Sequence, residues 1–190
     1  MNAKRQNLEA ECLAVFDSVI EDLGYRIEDT QVYRGLGGEN RFDPGFNLNG
    51  RQRFQYGDLR VELADRVVLV ETESGGGLTN LVKYWAHAEL EDKPLLLLHV
   101  FRQASRNDYI AHLRLWDFVW EKMRNDLWHH ESTPLLARMF AYQAGETGSL
   151  EEAVAAFRVC LTQPLNEVRF SVFGFEGSLV RSEPGTEQTP

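Results

Sequence analysis

The stretch that decides the fold is Gly57-Asp58-Leu59-Arg60-Val61-Glu62-Leu63-Ala64-Asp65-Arg66-Val67-Val68-Leu69-Val70-Glu71-Thr72-Glu73. Leu59, Val61 and Leu63 alternate with Arg60 and Glu62, the period-two pattern of a half-buried strand. Ala64-Asp65-Arg66 makes a tight connection, and Val67 to Val70 is a continuous run suited to a strand covered on both faces. The two form a hairpin whose open end places Asp58 near Glu71. Glu71 and Glu73 are two residues apart, so on a strand they share a face. Hard divalent cations bind carboxylate oxygens and water, which makes Asp58, Glu71 and Glu73 a candidate site for Mg²⁺ or Mn²⁺.

Upstream, Leu8, Cys12, Val15, Phe16, Val19, Ile20 and Leu23 recur at helical spacing, and Gly24 supplies a stop. The spacing predicts a helix from Ala3 to Leu23, with Glu11 at the edge of its apolar stripe and turned inward. Tyr25 to Gly57 is rich in Gly, Asn, Asp and Pro and reads as loop with one short strand near Gln31 to Tyr33. Because it leads directly into the acidic motif, a substrate-facing role is expected.

Downstream, Ser74-Gly75-Gly76-Gly77 turns the chain into a helix expected from Leu78 to Leu90. Its predicted buried face is Leu78, Leu81, Val82, Trp85 and Ala88, with Asn80, Lys83 and His87 aligned on the other side. Leu95 to Phe101 reads as a buried strand. Ile110, Leu113, Trp116, Trp120, Met123 and Leu127 mark a long helix from about Asp108, and Thr133 to Tyr142 is read as helix. Ser149 and Glu152 suggest a capping box for a helix through Val154, Phe157 and Leu161. Val168, Phe170 and Val172 alternate as a last strand, and residues 182–190 have the composition of a disordered tail. The expectation is one α/β (α+β) domain over residues 1–181.

With 190 residues and 21.8 kDa the chain has the size of one domain able to bury a core. Its longest apolar runs, Val67–Val70 and Leu95–Leu98, are too short to span a bilayer, so no membrane partner is expected. The polar start at Met1 to Asn7 carries no visible secretory signal. Cys12 and Cys160 are far apart and read as separate buried thiols, consistent with a reducing, cytoplasmic setting. The net charge of -9 argues against a protein that grips duplex DNA mainly through many phosphate contacts. Arg34, Arg41, Arg51, Arg53 and Arg60 cluster locally, which suits either a positive rim around an acidic pocket or a solvated loop.

Gly57-Asp58 followed by Val70-Glu71-Thr72-Glu73 and then a helix resembles the PD-(D/E)XK, or restriction-endonuclease-like, nuclease superfamily. The resemblance covers Leu8 to Phe101. It implies a central mixed sheet entered by a β-hairpin and flanked by helices. It also implies Mg²⁺ bound by Asp58, Glu71 and the Thr72 carbonyl, with Glu11 completing the site from the first helix. The sequence departs from that pattern at Gly57, where proline is usual, and at Glu73, where most members carry a lysine. Some members have glutamate at that place, as general base or second metal ligand; others carry the lysine on the following helix, where Lys83 stands. The implied reaction is hydrolysis of a phosphodiester in nucleic acid, DNA being the substrate expected ahead of RNA, and a homodimer would suit cutting of both strands. The alternative is a catalytically inactive member of the same fold serving as a binding or assembly module.

Other motifs carry less. Gly75 to Thr79 before a helix lacks the ending of a P-loop. His129, His130 and Glu131 have no third ligand at zinc spacing and read as a polar helix end. Trp116 and Trp120 sit at core-facing positions rather than as stacking platforms for bases.

Overall fold

The computed structural model describes residues 3–25, 31–34, 46–47, 53–54, 57–73, 81–85, 93–102, 106–129, 135–142, 150–168, 170–172 and 175–177. It is a mixed α+β structure. The hairpin opens as expected into β4 (Leu59–Glu62) and β5 (Val67–Glu73), paired antiparallel with Leu59 opposite Val70 and Glu62 opposite Val67. The second strand closes on the acidic residues Glu71 to Glu73, as expected. On one side β1 (Gln31–Arg34) adds antiparallel to β4. On the other, β6 (Leu95–Arg102) pairs parallel with β5, and β7 (Leu135–Tyr142) parallel with β6. The resulting five-stranded sheet has the order β1-β4-β5-β6-β7. β2 (Phe46–Asn47) with β3 (Arg53–Phe54) and β8 (Phe170–Val172) with β9 (Phe175–Gly177) form two small ribbons of their own, and β8 lies against β7.

Helices cover both faces, which is why β5 and β6 are apolar without alternation. Helix α1 (Ala3–Asp22) and helix α4 (Glu151–Thr162) lie on one face. There Cys12, Leu13, Phe16, Val19 and Ile20 meet Val68, Val70, Leu96 and Leu98, with Phe157 and Cys160 from α4. Phe16 and Phe157 pack edge to face with centroids 5.1 Å apart, and each such buried side chain contributes about 1.5–3 kcal/mol. The α1 stop is as expected: Gly24 takes φ 74°, and the Tyr25 N–H returns to the Ile20 carbonyl at 3.1 Å. On the opposite face lie α2, whose residues 81–85 are helical, and α3 (Arg106–His129). Leu81, Tyr84, Trp116, Trp120 and Met123 there cover Val67, Leu69, Leu95 and Leu97. Trp85 Nε1 donates to Asp126 Oδ2 at 2.9 Å and ties α2 to α3.

Three readings are corrected. Thr133 to Tyr142 is not helical: Leu135–Tyr142 is strand β7, paired residue for residue with β6. Its Leu, Ala, Arg and Met favour a helix locally, but the open edge of β6 offers a full ladder, and tertiary pairing overrides so weak a preference. In α2 Leu81 faces inward as expected and Trp85 packs half-buried against the same core, but Val82 is 47% exposed and Tyr84 takes the buried place beside Leu81. Glu11 is exposed, and the inward position beside it is taken by Cys12. The α4 N-cap position is Leu150 without a side-chain bond; Ser149, Leu78, Asn80, His87, Ala88, the glycines 75–77 and the tail 182–190 lie outside the described residues. Among the described residues no helix is long and apolar enough to cross a membrane.

Candidate functional site

The hairpin's open end gathers the acidic motif, beginning with a glycine. Gly57 takes φ +76°, a conformation that side chains rarely adopt, and an added Cβ would sit 3.1 Å from the Leu59 carbonyl oxygen and 3.2 Å from Leu69 Cδ2. Its N–H donates to the Tyr84 hydroxyl at 2.6 Å and to Glu71 Oε2 at 3.2 Å. Proline could supply neither the backbone angle nor the donor. A glycine at this position therefore has a local physical cause.

Asp58 continues the hairpin by donating its N–H to the Val70 carbonyl at 2.9 Å. Its Oδ2 accepts both the Thr72 N–H and the Thr72 hydroxyl, each at 2.6 Å. Beyond Leu59 the ladder between β4 and β5 has run out, and the Asp58 carboxylate takes over the Thr72 N–H at that edge. Strand alternation directs the Thr72 carbonyl to the same edge.

Glu71 faces the α2 side of the sheet, in line with Val67 and Leu69, and is 7% exposed. Its Oε2 accepts from the Gly57 N–H and the Tyr84 hydroxyl, and Lys83 Nζ lies 3.4 Å from both Oε1 and Oε2. Lys83 also lies over the Tyr84 ring, 4.9 Å from its centroid. A buried carboxylate is tolerable only with such donors and a neighbouring positive charge. Glu73 is 7% exposed on the same face as Glu71.

Thus Asp58 joins Thr72, Glu71 joins Lys83, and the two pairs flank Gly57. The charges of both Glu71 and Asp58 bear on Tyr84, whose hydroxyl is pushed well above its ordinary pKa, first by burial and then by Glu71. It therefore stays protonated and able to donate. Among the described residues no group of three His, Cys, Asp or Glu side chains is arranged to hold a metal ion. Among the described residues the oxygens at the hairpin's open end include the Asp58 and Glu71 carboxylates, the Thr72 carbonyl and hydroxyl, and the Tyr84 hydroxyl.

Sequence reasoning missed two residues. Tyr84 is fully buried and bonds to both sides of the hairpin's open end, Gly57 and Glu71; the clue was its position three residues after Leu81, one helical turn along the same face. His99 is paired with Glu71 across β5 and β6 and is 1% exposed. Its Nδ1 accepts from Trp116 Nε1 at 3.0 Å. Burial, followed by the positive charge of Lys83, lowers its pKa to about 4. Only the parallel register, which the sequence does not display, sets it beside Glu71. No family model, curated protein or solved structure matches this chain.

Proposed function

We propose that this chain is a metal-dependent nuclease, a phosphodiester hydrolase built on a restriction-endonuclease-like core, with nucleic acid as its substrate. The observation that carries the reading is the ammonium of Lys83, delivered from α2 onto the Glu71 carboxylate at the strand end where Asp58 meets Thr72. That position supports the reading in which the lysine absent at Glu73 is supplied by the following helix.

The donor set is of the kind hard cations select: the Asp58 and Glu71 carboxylates and the Thr72 carbonyl would hold Mg²⁺ or Mn²⁺. When bound, such a cation would polarise the phosphodiester and lower the pKa of a water beside it. The chain's own groups do the rest. Tyr84 and the Gly57 N–H fix the orientation of Glu71. Lys83 would supply positive charge where the phosphorane builds negative charge, and the attacking water would be positioned or deprotonated by Glu73, or positioned by the Lys83 ammonium. Glu11, exposed on α1, is not needed for this arrangement.

A second reading, a binding module without catalysis, is favoured by the donors already crowding Glu71 and by the lack of a three-side-chain metal cage among the described residues. Incubating the chain with labelled single- and double-stranded DNA and RNA in Mg²⁺ or Mn²⁺ separates the two. The nuclease reading expects cleavage that chelation abolishes and that Asp58→Asn and Lys83→Met reduce at least about a hundredfold. Retention of labelled nucleic acid without any cleavage would favour the binding module.

A further inference from the structure

Thr72 is 4% exposed, and strand alternation sets its side chain on the face of β5 where Val68 and Val70 pack against α1. On so apolar a face a third valine is the expected residue. The hydroxyl that stands there instead has a definite partner: Thr72 Oγ1 and the Thr72 N–H both donate to Asp58 Oδ2, each at 2.6 Å. Both act as donors, because an ionised carboxylate only accepts. The N–H alone would close the edge of the sheet, so backbone pairing does not require the hydroxyl. What the hydroxyl adds is direction. Two charge-assisted bonds from one residue converge on one oxygen, and the Asp58 N–H is itself tied to the Val70 carbonyl at 2.9 Å. The carboxylate is held against rotation, and Oδ2 is committed to Thr72.

We propose that the Thr72 hydroxyl is the positioning group of the cation site and sets its choice of ion, limiting Asp58 to ligation through a single oxygen by holding the other. The role rests on the nuclease reading and deepens it by naming what selects the cation. Mg²⁺ demands near-ideal octahedral geometry, which the narrow bite of a bidentate carboxylate does not fit. Ca²⁺ has a larger and looser shell and readily takes both oxygens of one carboxylate. A carboxylate pinned at one oxygen therefore favours the smaller ion. The Thr72 carbonyl, offered to the same cation, would belong to the same rigid unit as the Asp58 carboxylate that its hydroxyl holds.

The test compares the full chain as wild type, Thr72→Val and Thr72→Ser by calorimetry, with Mg²⁺ alone and with Ca²⁺ alone, in the absence and presence of a short oligonucleotide. Valine keeps the β-branched shape on an apolar face and removes only the donor, whereas serine keeps the donor. Thr72→Val is expected to bind Mg²⁺ about tenfold more weakly while its Ca²⁺ affinity changes by less than about twofold, and Thr72→Ser to restore Mg²⁺ binding to within about threefold of wild type. Thermal melts establish that each variant is folded. A threonine that only closes the sheet edge would leave the ratio of Mg²⁺ to Ca²⁺ affinity unmoved. That result in folded Thr72→Val, or a serine variant that binds Mg²⁺ no better than the valine one, would overturn the role of Thr72 while leaving the nuclease reading intact. Failure of the folded wild type to bind either cation under both conditions would count against both.

Discussion

Replacing Tyr84 by Phe removes one oxygen from a fully buried ring and leaves the packing against Leu81 and Leu69 in place. The hydroxyl donates to Glu71 and accepts from the Gly57 N–H, so it ties the start of β4 to the middle of β5. The Gly57 N–H keeps Glu71 Oε2 at 3.2 Å, and Glu71 keeps Lys83 at 3.4 Å, so neither group is wholly abandoned. What is lost is one hydrogen bond to a buried charge, about 1.5–3 kcal/mol. For a chain of this length that corresponds to a fall in Tm of roughly 4–10 °C. Urea denaturation of wild type and Tyr84→Phe, followed by circular dichroism, measures the difference directly. Because Tyr84 also orients Glu71, the same variant should bind Mg²⁺ about 10–100-fold more weakly. A loss below about 0.5 kcal/mol would show that the hydroxyl is not holding the carboxylate, and would refute the role assigned to Tyr84.

Gly57→Ala should cost more than about 1 kcal/mol, since the left-handed backbone and the close approach to the Leu59 carbonyl act together; a neutral substitution in the same denaturation assay would contradict the left-handed conformation of Gly57. Acidification tests His99. Its folded pKa of about 4 lies below the unfolded value near 6.5, so between these values the unfolded chain binds more protons and stability falls as pH drops. The loss is on the order of 3 kcal/mol and complete below about pH 4, and His99→Leu should flatten that part of the stability–pH curve; an unchanged slope would refute the burial assigned to the ring. Cys12 and Cys160 are buried, and burial pushes both thiols up to about 12; thiol reagents at neutral pH should label them only after denaturation.

Much of the architecture was legible because burial imposes period on sequence. The hairpin, β6, α1 and α3 each carry an apolar pattern that only one element type satisfies, and their bounds agree closely with expectation. β7 was not legible: Leu135–Tyr142 is composed of good helix formers, and only the vacant edge of β6 makes it a strand. The face of α2 was only partly legible, because Val82 is apolar yet exposed, while Tyr84 hides a polar atom inside the core. In the site, the nearness of Asp58 to the Glu71–Thr72 pair followed from hairpin geometry, and the sequence also marked Lys83 as a candidate. Tyr84 and His99 escaped notice, because a hydroxyl on a core face and the partner in a parallel register leave no local signal.

The most direct test of the central claim is Mg²⁺ or Mn²⁺ binding by calorimetry, comparing wild type with Asp58→Ala and Glu71→Ala, with and without a short oligonucleotide. The account predicts binding by the wild type that both substitutions abolish while each variant stays folded. Absence of cation binding in the wild type even with the oligonucleotide present, or binding that survives both substitutions, would contradict it.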